Sequence, residues 1–286
     1  MTLAYLNGNY QPLAETQVSV MDRGFLFGDG VYEVIPVYAR KSFRLNEHLQ
    51  RLRACLSTIR IANPHSDAEW QAIIERVIAS SDSADQQIYL QVTRGIAPVR
   101  NHAFPADAKP TVLVMSDPLL PPDAVLFARG VTAVSAADFR WLRCDIKTTS
   151  LLANCLLRQI AIDAGCAETV LFRDGILTEG AASNIFVVKD GLLLAPQKNH
   201  LMLPGITYDV VLEIAAHSGI PYVVRDITAA EVKAADELLL TSSTREVLPI
   251  VALDERPVGD GQPGAMARRL AAAYQDFKRT VMYSQP

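Results

Sequence analysis

Lys147 and Glu179 are the side chains whose surroundings first suggest chemistry. Lys147 lies in CDIKTTSLLANC, the only cation between Arg143 and Arg158, and three small hydroxyl residues follow it. A lysine amine whose surroundings favour the free base can form a Schiff base with an aldehyde. Glu179 lies in LTEGAASN, between two predicted strands, and the small residues after it leave room for something flat. Pro204-Gly205-Ile206-Thr207 opens a predicted helix, whose first-turn N–H groups and positive dipole end suit an anion. Gly205 lets the backbone approach closely, and Thr207 adds a hydroxyl donor. Thr241-Ser242-Ser243-Thr244 follows a predicted strand and offers further hydroxyls, and Arg51 could supply the positive charge that a dianion attracts. Taken singly, these are a surface lysine, a solvated glutamate and an ordinary helix start. Together, a Schiff-base lysine, a carboxylate for a ring nitrogen and an anion site are what pyridoxal 5'-phosphate requires.

Two further stretches could handle a substrate. In DRGFLFGDGVYEVIPVY the turn Gly28-Asp29-Gly30 leads into an aromatic strand, where period-two spacing puts Tyr32 and Tyr38 on one face and Val31 on the other. In VRNHAFP, Arg100 and His102 stand two residues apart in a loop, a pairing that suits a carboxylate.

The elements that must position these residues can be read from periodicity and turn chemistry. Asn7-Gly8 predicts a hairpin between two short strands at the N-terminus. Alternation predicts strands at Val31–Tyr38, Gln87–Thr93, Thr111–Met115 and Val131–Ala133. NEHLQRLRACLSTIRIA and DAEWQAIIERVIAS have helical spacing, the first with Asn46 as its cap. The stretch before Gly165 predicts a helix with Leu152, Cys155, Leu156 and Ile160 on a buried face. Beyond it come a β-rich stretch with Asp-Gly turns at 174–175 and 190–191, a helix from Pro204, and a capping box of Thr228 and Glu231. GAMARRLAAAYQDFKRTVM predicts a closing helix. The proline cluster DPLLPPDA divides a domain of residues 1–120 from one of residues 121–286. Strands and helices mix without strict alternation, so an α+β two-domain enzyme is expected rather than a doubly wound sheet.

Bulk properties bound the function. A net charge of −4 and a pI near 5.8 give no electrostatic case for nucleic acid or an anionic membrane. No apolar run is long enough for a membrane span, and the N-terminus does not read as a secretion signal. Of the four cysteines, three read as buried thiols, and neither C-x-x-C nor metal-ligand spacing occurs. A cytoplasmic protein without a metal is expected.

The ordered set FGDG, NEHLQRL, CDIK, TEGAASN, LPGIT and TSST resembles the class IV pyridoxal-phosphate aminotransferases, which have fold type IV, and it spans nearly the whole chain. The resemblance implies a smaller N-terminal α/β domain and a larger β-barrel-like C-terminal domain with flanking helices, which would carry the lysine and phosphate site. Residue by residue, it makes Lys147 the Schiff-base lysine and Glu179 the partner of the pyridinium nitrogen. It assigns Arg51, Gly205, Ile206, Thr207, Ser242 and Ser243 to the phosphate site, and sets Ser183 and Leu203 beside the cofactor. Tyr32, Val34, Arg100 and His102 become substrate residues, the last two reaching the neighbouring subunit of a homodimer. WLRCDIK and the R-N-H loop are most similar to the D-amino-acid branch.

That branch implies transfer of the amino group of D-alanine and other D-amino acids to 2-oxoglutarate or pyruvate by a ping-pong mechanism. The alternatives are an (R)-amine or branched-chain aminotransferase, or aminodeoxychorismate lyase. Ala181 and Ala182 stand where some relatives have serines, Pro36 replaces a basic residue, and Val99 lengthens the loop before Arg100. The last two changes bear on the substrate pocket. A binding protein that kept only the fold would not need Lys147 and Glu179. A nucleotide-binding oxidoreductase would need a G-x-G-x-x-G motif, which is absent here.

Overall fold

The Asn7-Gly8 turn forms as its residue types dictate. In the computed structural model, which describes residues 3–120 and 123–283, both residues have positive φ, 49° and 96°. They join β1 (Leu3–Leu6) to β2 (Asn9–Pro12) with Leu6 opposite Asn9. Pro121 and Pro122, inside the predicted boundary cluster, lie outside the described residues. The chain divides into two units, Met1–Leu120 with Ile146–Leu151, and Pro121–Asp145 with Leu152–Pro286.

In the first unit, α1 (Arg23–Phe27) precedes β3 (Gly30–Tyr38), β4 (Lys41–Ser42), α2 (Leu45–Thr58), α3 (Asp67–Ala79), β5 (Gln86–Thr93) and β6 (Thr111–Pro118). Among the described residues, six strands form an antiparallel sheet in the order β2-β1-β6-β5-β3-β4. One face of α2 (Leu49, Leu52, Leu56) and one of α3 (Trp70, Ile74, Val77) share a core with Val31, Ile35, Ile88 and Leu90. Full burial of each such side chain stabilises the unit by about 1.5–3 kcal/mol. Helix α3 starts with a capping box of Ser66 and Glu69. Helix α2 does not use Asn46 as its cap: Arg44, at φ 55°, holds that position and the helix begins a residue before Asn46.

The segment Ile146–Leu151 belongs to this first unit, whereas the expected boundary puts Lys147 in the C-terminal domain. Backbone and hydroxyl bonds explain the difference. Tyr32 N–H donates to the Lys147 carbonyl at 2.9 Å, and Thr149 N–H to that of Gly30 at 3.0 Å. Thr148 Oγ1 donates to Gly30 O at 3.1 Å, while Thr149 Oγ1 and Ser150 Oγ reach Gly28 O at 2.9 and 3.0 Å. The three hydroxyl residues after the lysine are the stitching of this segment.

The second unit contains α4 (Ala124–Arg129), β7 (Val131–Ala137), α5 (Leu152–Asp163), β8 (Glu168–Arg173), β9 (Ile176–Gly180), β10 (Asn184–Lys189) and β11 (Leu192–Ala195). It continues with α6 (Ile206–His217), β12 (Tyr222–Val224), α7 (Ala229–Lys233), β13 (Glu237–Ser242), β14 (Glu246–Leu253), β15 (Arg256–Pro257) and α8 (Ala265–Lys278). Among the described residues, its nine strands form one mixed sheet in the order β12-β11-β10-β13-β14-β7-β8-β9, with β15 on β14. The pairs β11–β12, β14–β7 and β7–β8 are parallel, which departs from a doubly wound pattern. The sheet curls as a half-barrel with β12 and β9 as edges. Thr228 and Glu231 form the expected capping box on α7.

The face assignment of α5 is corrected. Leu157 and Ala161 are its buried residues, with Leu157 packed beside Leu171 and Ala181. Leu152 is 74 % exposed, Leu156 53 % and Ile160 36 %, and Cys155 is also exposed. The helix presents its broader apolar stripe outward. Cys55 and Cys144 are buried, and Cys166 is half-buried. Among the described residues no helix is long and apolar enough to cross a membrane.

Candidate active site

In the first unit, Lys147 Nζ stands 4.2 Å from the centre of the Tyr32 ring, which is itself stacked on Tyr89 at 5.6 Å. Val34 lies opposite Tyr89, and Tyr32 opposite Gln91, in the β3–β5 register, so these residues share one sheet face. Tyr89 Oη donates to Gln91 Oε1 at 2.6 Å, and burial pushes its phenol up to about 12. The Lys147 N–H points to Cys55 Sγ at 3.4 Å, and the lost hydration of Cys55 raises its thiol. The Lys147 amine therefore projects over an aromatic floor from a backbone that β3 holds in place.

Arg51, the predicted phosphate charge, is almost fully buried and gripped by Glu33. Its Nε donates to Oε1 at 2.8 Å and its Nη2 to Oε2 at 2.7 Å. Glu33 has no exposed surface, because period two sets it among Val31, Ile35 and Val37 on the core face of β3. Burial alone would raise the Glu33 carboxyl, but Arg51 and the His48 hydrogen bond bring it down to about 2. His48 Nδ1 lies 2.7 Å from Glu33 Oε2. Burial lowers His48, so the ring is neutral and the carboxylate assigns the proton to Nδ1. Its buried Nε2 has no hydrogen-bond partner among the described residues.

In the second unit, Glu179 lies within β9 rather than in a turn, and it is 4 % exposed. Arg140 Nη1 donates to its Oε1, while Leu203 N–H and Asn184 Nδ2 donate to its Oε2 at 3.1 and 3.2 Å. Arg140 spends its Nε and Nη2 on Asp138, at 2.9 and 2.8 Å, and Asp138 also accepts from Thr178 Oγ1 at 2.9 Å. One guanidinium thus serves two carboxylates. Burial pushes the Glu179 carboxyl up to about 7, with Arg140 pulling the other way. Such a carboxyl shares a proton readily with a group of similar basicity.

Asn184 ties this carboxylate to the start of α6. Its Nδ2 also donates to Leu203 O at 3.0 Å, and its Oδ1 lies where a Cβ on Gly205 would have to go. Gly205 is the N-cap residue and lacks a capping side chain, so the first-turn amides of Ile206 and Thr207 have no intrahelical acceptor. Ser183 Oγ donates to Glu168 Oε2 at 2.8 Å. Glu168, fully buried, also accepts from the Thr169 and Ala181 N–H groups. Ser242 ends β13 and accepts from Arg245 N–H at 3.1 Å, while Ser243 follows in the β13–β14 turn.

The structure thus brings Lys147, Tyr32 and Val34 together with the Arg51 clamp in the first unit, and Glu179, Leu203 and Gly205 together in the second. Arg100 and His102 lie on an exposed loop of the first unit, both packed against Phe27 with separations of 5.0 and 5.3 Å. Sequence reasoning missed Glu33, His48, Asp138, Arg140, Asn184 and Glu168. Glu33 carried a readable signal, a charge at a core-facing position of an apolar strand. Arg140 carried none.

Residues 30–253 match the family model described as amino-transferase class IV. The D-alanine aminotransferase of Bacillus licheniformis is 38 % identical over 270 residues, covering 94 % of this chain and 95 % of the relative. That of Staphylococcus epidermidis is 36 % identical, covering 97 % and 98 %. Among solved structures, the branched-chain amino acid aminotransferase of T.th. with pyridoxamine 5'-phosphate superposes with a TM-score of 0.91 at 26 % identity, covering 99 % of this chain and 95 % of that one.

Proposed function

The chain belongs to the class IV aminotransferase family, and we propose that it moves the amino group of D-alanine and related D-amino acids to a 2-oxo acid, using pyridoxal 5'-phosphate. The observation that carries the cofactor assignment is the buried Glu179 carboxyl, held by Arg140, Asn184 and Leu203 N–H beside the free first-turn amides of α6. This donor set fits the group. Lys147 would anchor its aldehyde, Glu179 would face its ring nitrogen, and Arg51, Ile206, Thr207, Ser242 and Ser243 would hold its phosphate. When bound, pyridoxal 5'-phosphate supplies an aldehyde for the amino group and an electron-poor ring for the electron pair left when the Cα–H bond breaks.

The chain's own residues do the rest. Lys147 Nζ takes the Cα proton of the donor and returns one to Cα in the reverse half-reaction. Glu179 keeps a proton at the ring nitrogen, and Arg140 fixes the carboxylate's orientation. Tyr32 and Val34 line the substrate side, and Arg100 and His102 grip the α-carboxylate from the neighbouring copy of a homodimer. The dimer reading rests on the outward apolar stripe of α5 and on exposed Phe139, Trp141 and Leu142. The described cysteines are free thiols, which suits the cytoplasm.

Borohydride reduction of the purified protein, followed by peptide mapping, tests the reading at its root. The pyridoxyl label is expected on Lys147; a label elsewhere, or none, overturns it. The backbone likeness to a branched-chain enzyme favours a second reading, transfer from branched-chain L-amino acids. A donor panel with chiral analysis separates the two: turnover of L-leucine without D-alanine would establish the second.

A further inference from the structure

The loop that carries Arg100 and His102 is held by a charged assembly that the proposed reaction has not yet used. Arg23 sits in the first turn of α1 and is 3 % exposed. Its Nη1 donates to Asn101 O at 2.5 Å and to Ala103 O at 3.3 Å, and its Nη2 donates to His102 O at 3.1 Å. Three successive carbonyls of the loop thus converge on one guanidinium, whose planar fork of donors suits them while Nε stays free for another partner. Arg23 Nε is fixed in turn by Asp29 Oδ2 at 2.7 Å.

Asp29 is shared with Arg94, whose Nε and Nη2 reach it at 2.8 and 3.0 Å. Arg94 continues to the carbonyls of Ile59 and Arg60 at 2.7 and 3.1 Å, so the assembly is rooted at the end of α2. Aromatic rings close it from the loop side. Phe104 lies under the Arg94 guanidinium at 3.5 Å, and Phe27 faces Arg23 at 4.8 Å as well as Arg100 and His102. The Asp22 side chain caps α1 at Gly24 N–H and accepts from Thr93 and Thr111, which anchors the helix that presents Arg23.

We infer that Arg23 is a positioning residue for substrate recognition: by gathering the carbonyls of Asn101, His102 and Ala103, and with Phe27 as a backstop, it orders the loop that presents Arg100 and His102 to the donor's carboxylate. This rests on the proposed role of those two residues. Arg23 touches no reacting atom. Its effect falls on binding, because an ordered trap loses less entropy when the carboxylate arrives.

The test compares Arg23→Met, Arg23→Lys, Phe27→Leu and Arg100→Ala as holoenzymes. Arg23→Met leaves Asp29 paired with Arg94, so no buried carboxylate is orphaned. KM for D-alanine is expected to rise about tenfold in Arg23→Met, with kcat within about twofold. Arg23→Lys should rise less, since an ammonium reaches fewer of the carbonyls. Amide hydrogen exchange over residues 100–104 should quicken in Arg23→Met while the cofactor absorbance stays unchanged. If Arg100→Ala raises KM but Arg23→Met changes neither KM nor exchange, the inference is overturned and the carboxylate trap stands. If Arg100→Ala itself leaves KM unchanged, the trap reading fails and takes this inference with it. Should Arg23→Met not fold, Phe27→Leu decides: a raised KM supports the ordering role, and an unchanged one overturns it.

Discussion

Replacing Glu33 with glutamine removes the charge that clamps Arg51. Its carboxyl falls from an ordinary 4.5 to about 2 in the folded chain. At about 1.4 kcal/mol per pH unit, that depression is worth about 3 kcal/mol at neutral pH. The figure agrees with the roughly 3–5 kcal/mol lost when one partner of a buried ion pair is removed. The sign is fixed by the direction of the shift: a depressed carboxyl stabilises the fold above its unfolded value of 4.5 and loses that contribution as pH falls toward 2. Urea unfolding of the cofactor-stripped wild type and Glu33→Gln at pH 7, 4 and 3 measures it. The gap should be about 3 kcal/mol at pH 7, with about half of it gone at pH 3. A gap below about 1 kcal/mol at pH 7, or one that stays constant to pH 3, would refute the clamp.

Glu179→Gln should show the opposite trend: a carboxyl raised to about 7 costs stability as pH climbs from 4.5 to 7, so the wild type should weaken over that range and the variant should not, as read by the same unfolding series. Gly205→Ala drives a methyl into Asn184 Oδ1 and disturbs the amide that serves both Glu179 and Leu203. It should cost about 1–3 kcal/mol in thermal unfolding and weaken cofactor retention on dialysis. Lys147→Ala should abolish turnover while leaving the far-ultraviolet circular dichroism unchanged. Leu156→Lys on the outward stripe of α5 should shift the mass seen by light scattering from dimer to monomer.

Much of the scaffold could be read from local rules. The Asn7-Gly8 hairpin and the Thr228–Glu231 box follow from residue preferences over a few positions, and both formed. The α5 face could not be read this way: leucines and an isoleucine in helical register say that something will cover them, not that the helix's own unit will. Arg44 as the cap of α2 was hidden because its left-handed backbone has no glycine or asparagine to announce it. The site divides likewise. Lys147 and Glu179 stood out through their neighbours in sequence. The partners that set the behaviour of Glu179 and Arg51, Arg140 thirty-nine residues before the one and Glu33 eighteen before the other, are brought close only by the tertiary fold.

The stitching of Ile146–Leu151 onto Gly28 and Gly30 has a consequence for how the protein is born. A ribosome releases residues 1–120 well before the six-residue strap that β3 waits for, and the start of the other unit emerges in between. Until Leu151 clears the exit tunnel, the Tyr32 amide and the carbonyls of Gly28 and Gly30 lack the acceptor and the donors that the strap supplies. The N-terminal unit therefore cannot finish first and stand by: its last turn of the key is the very piece of chain that carries the reactive amine.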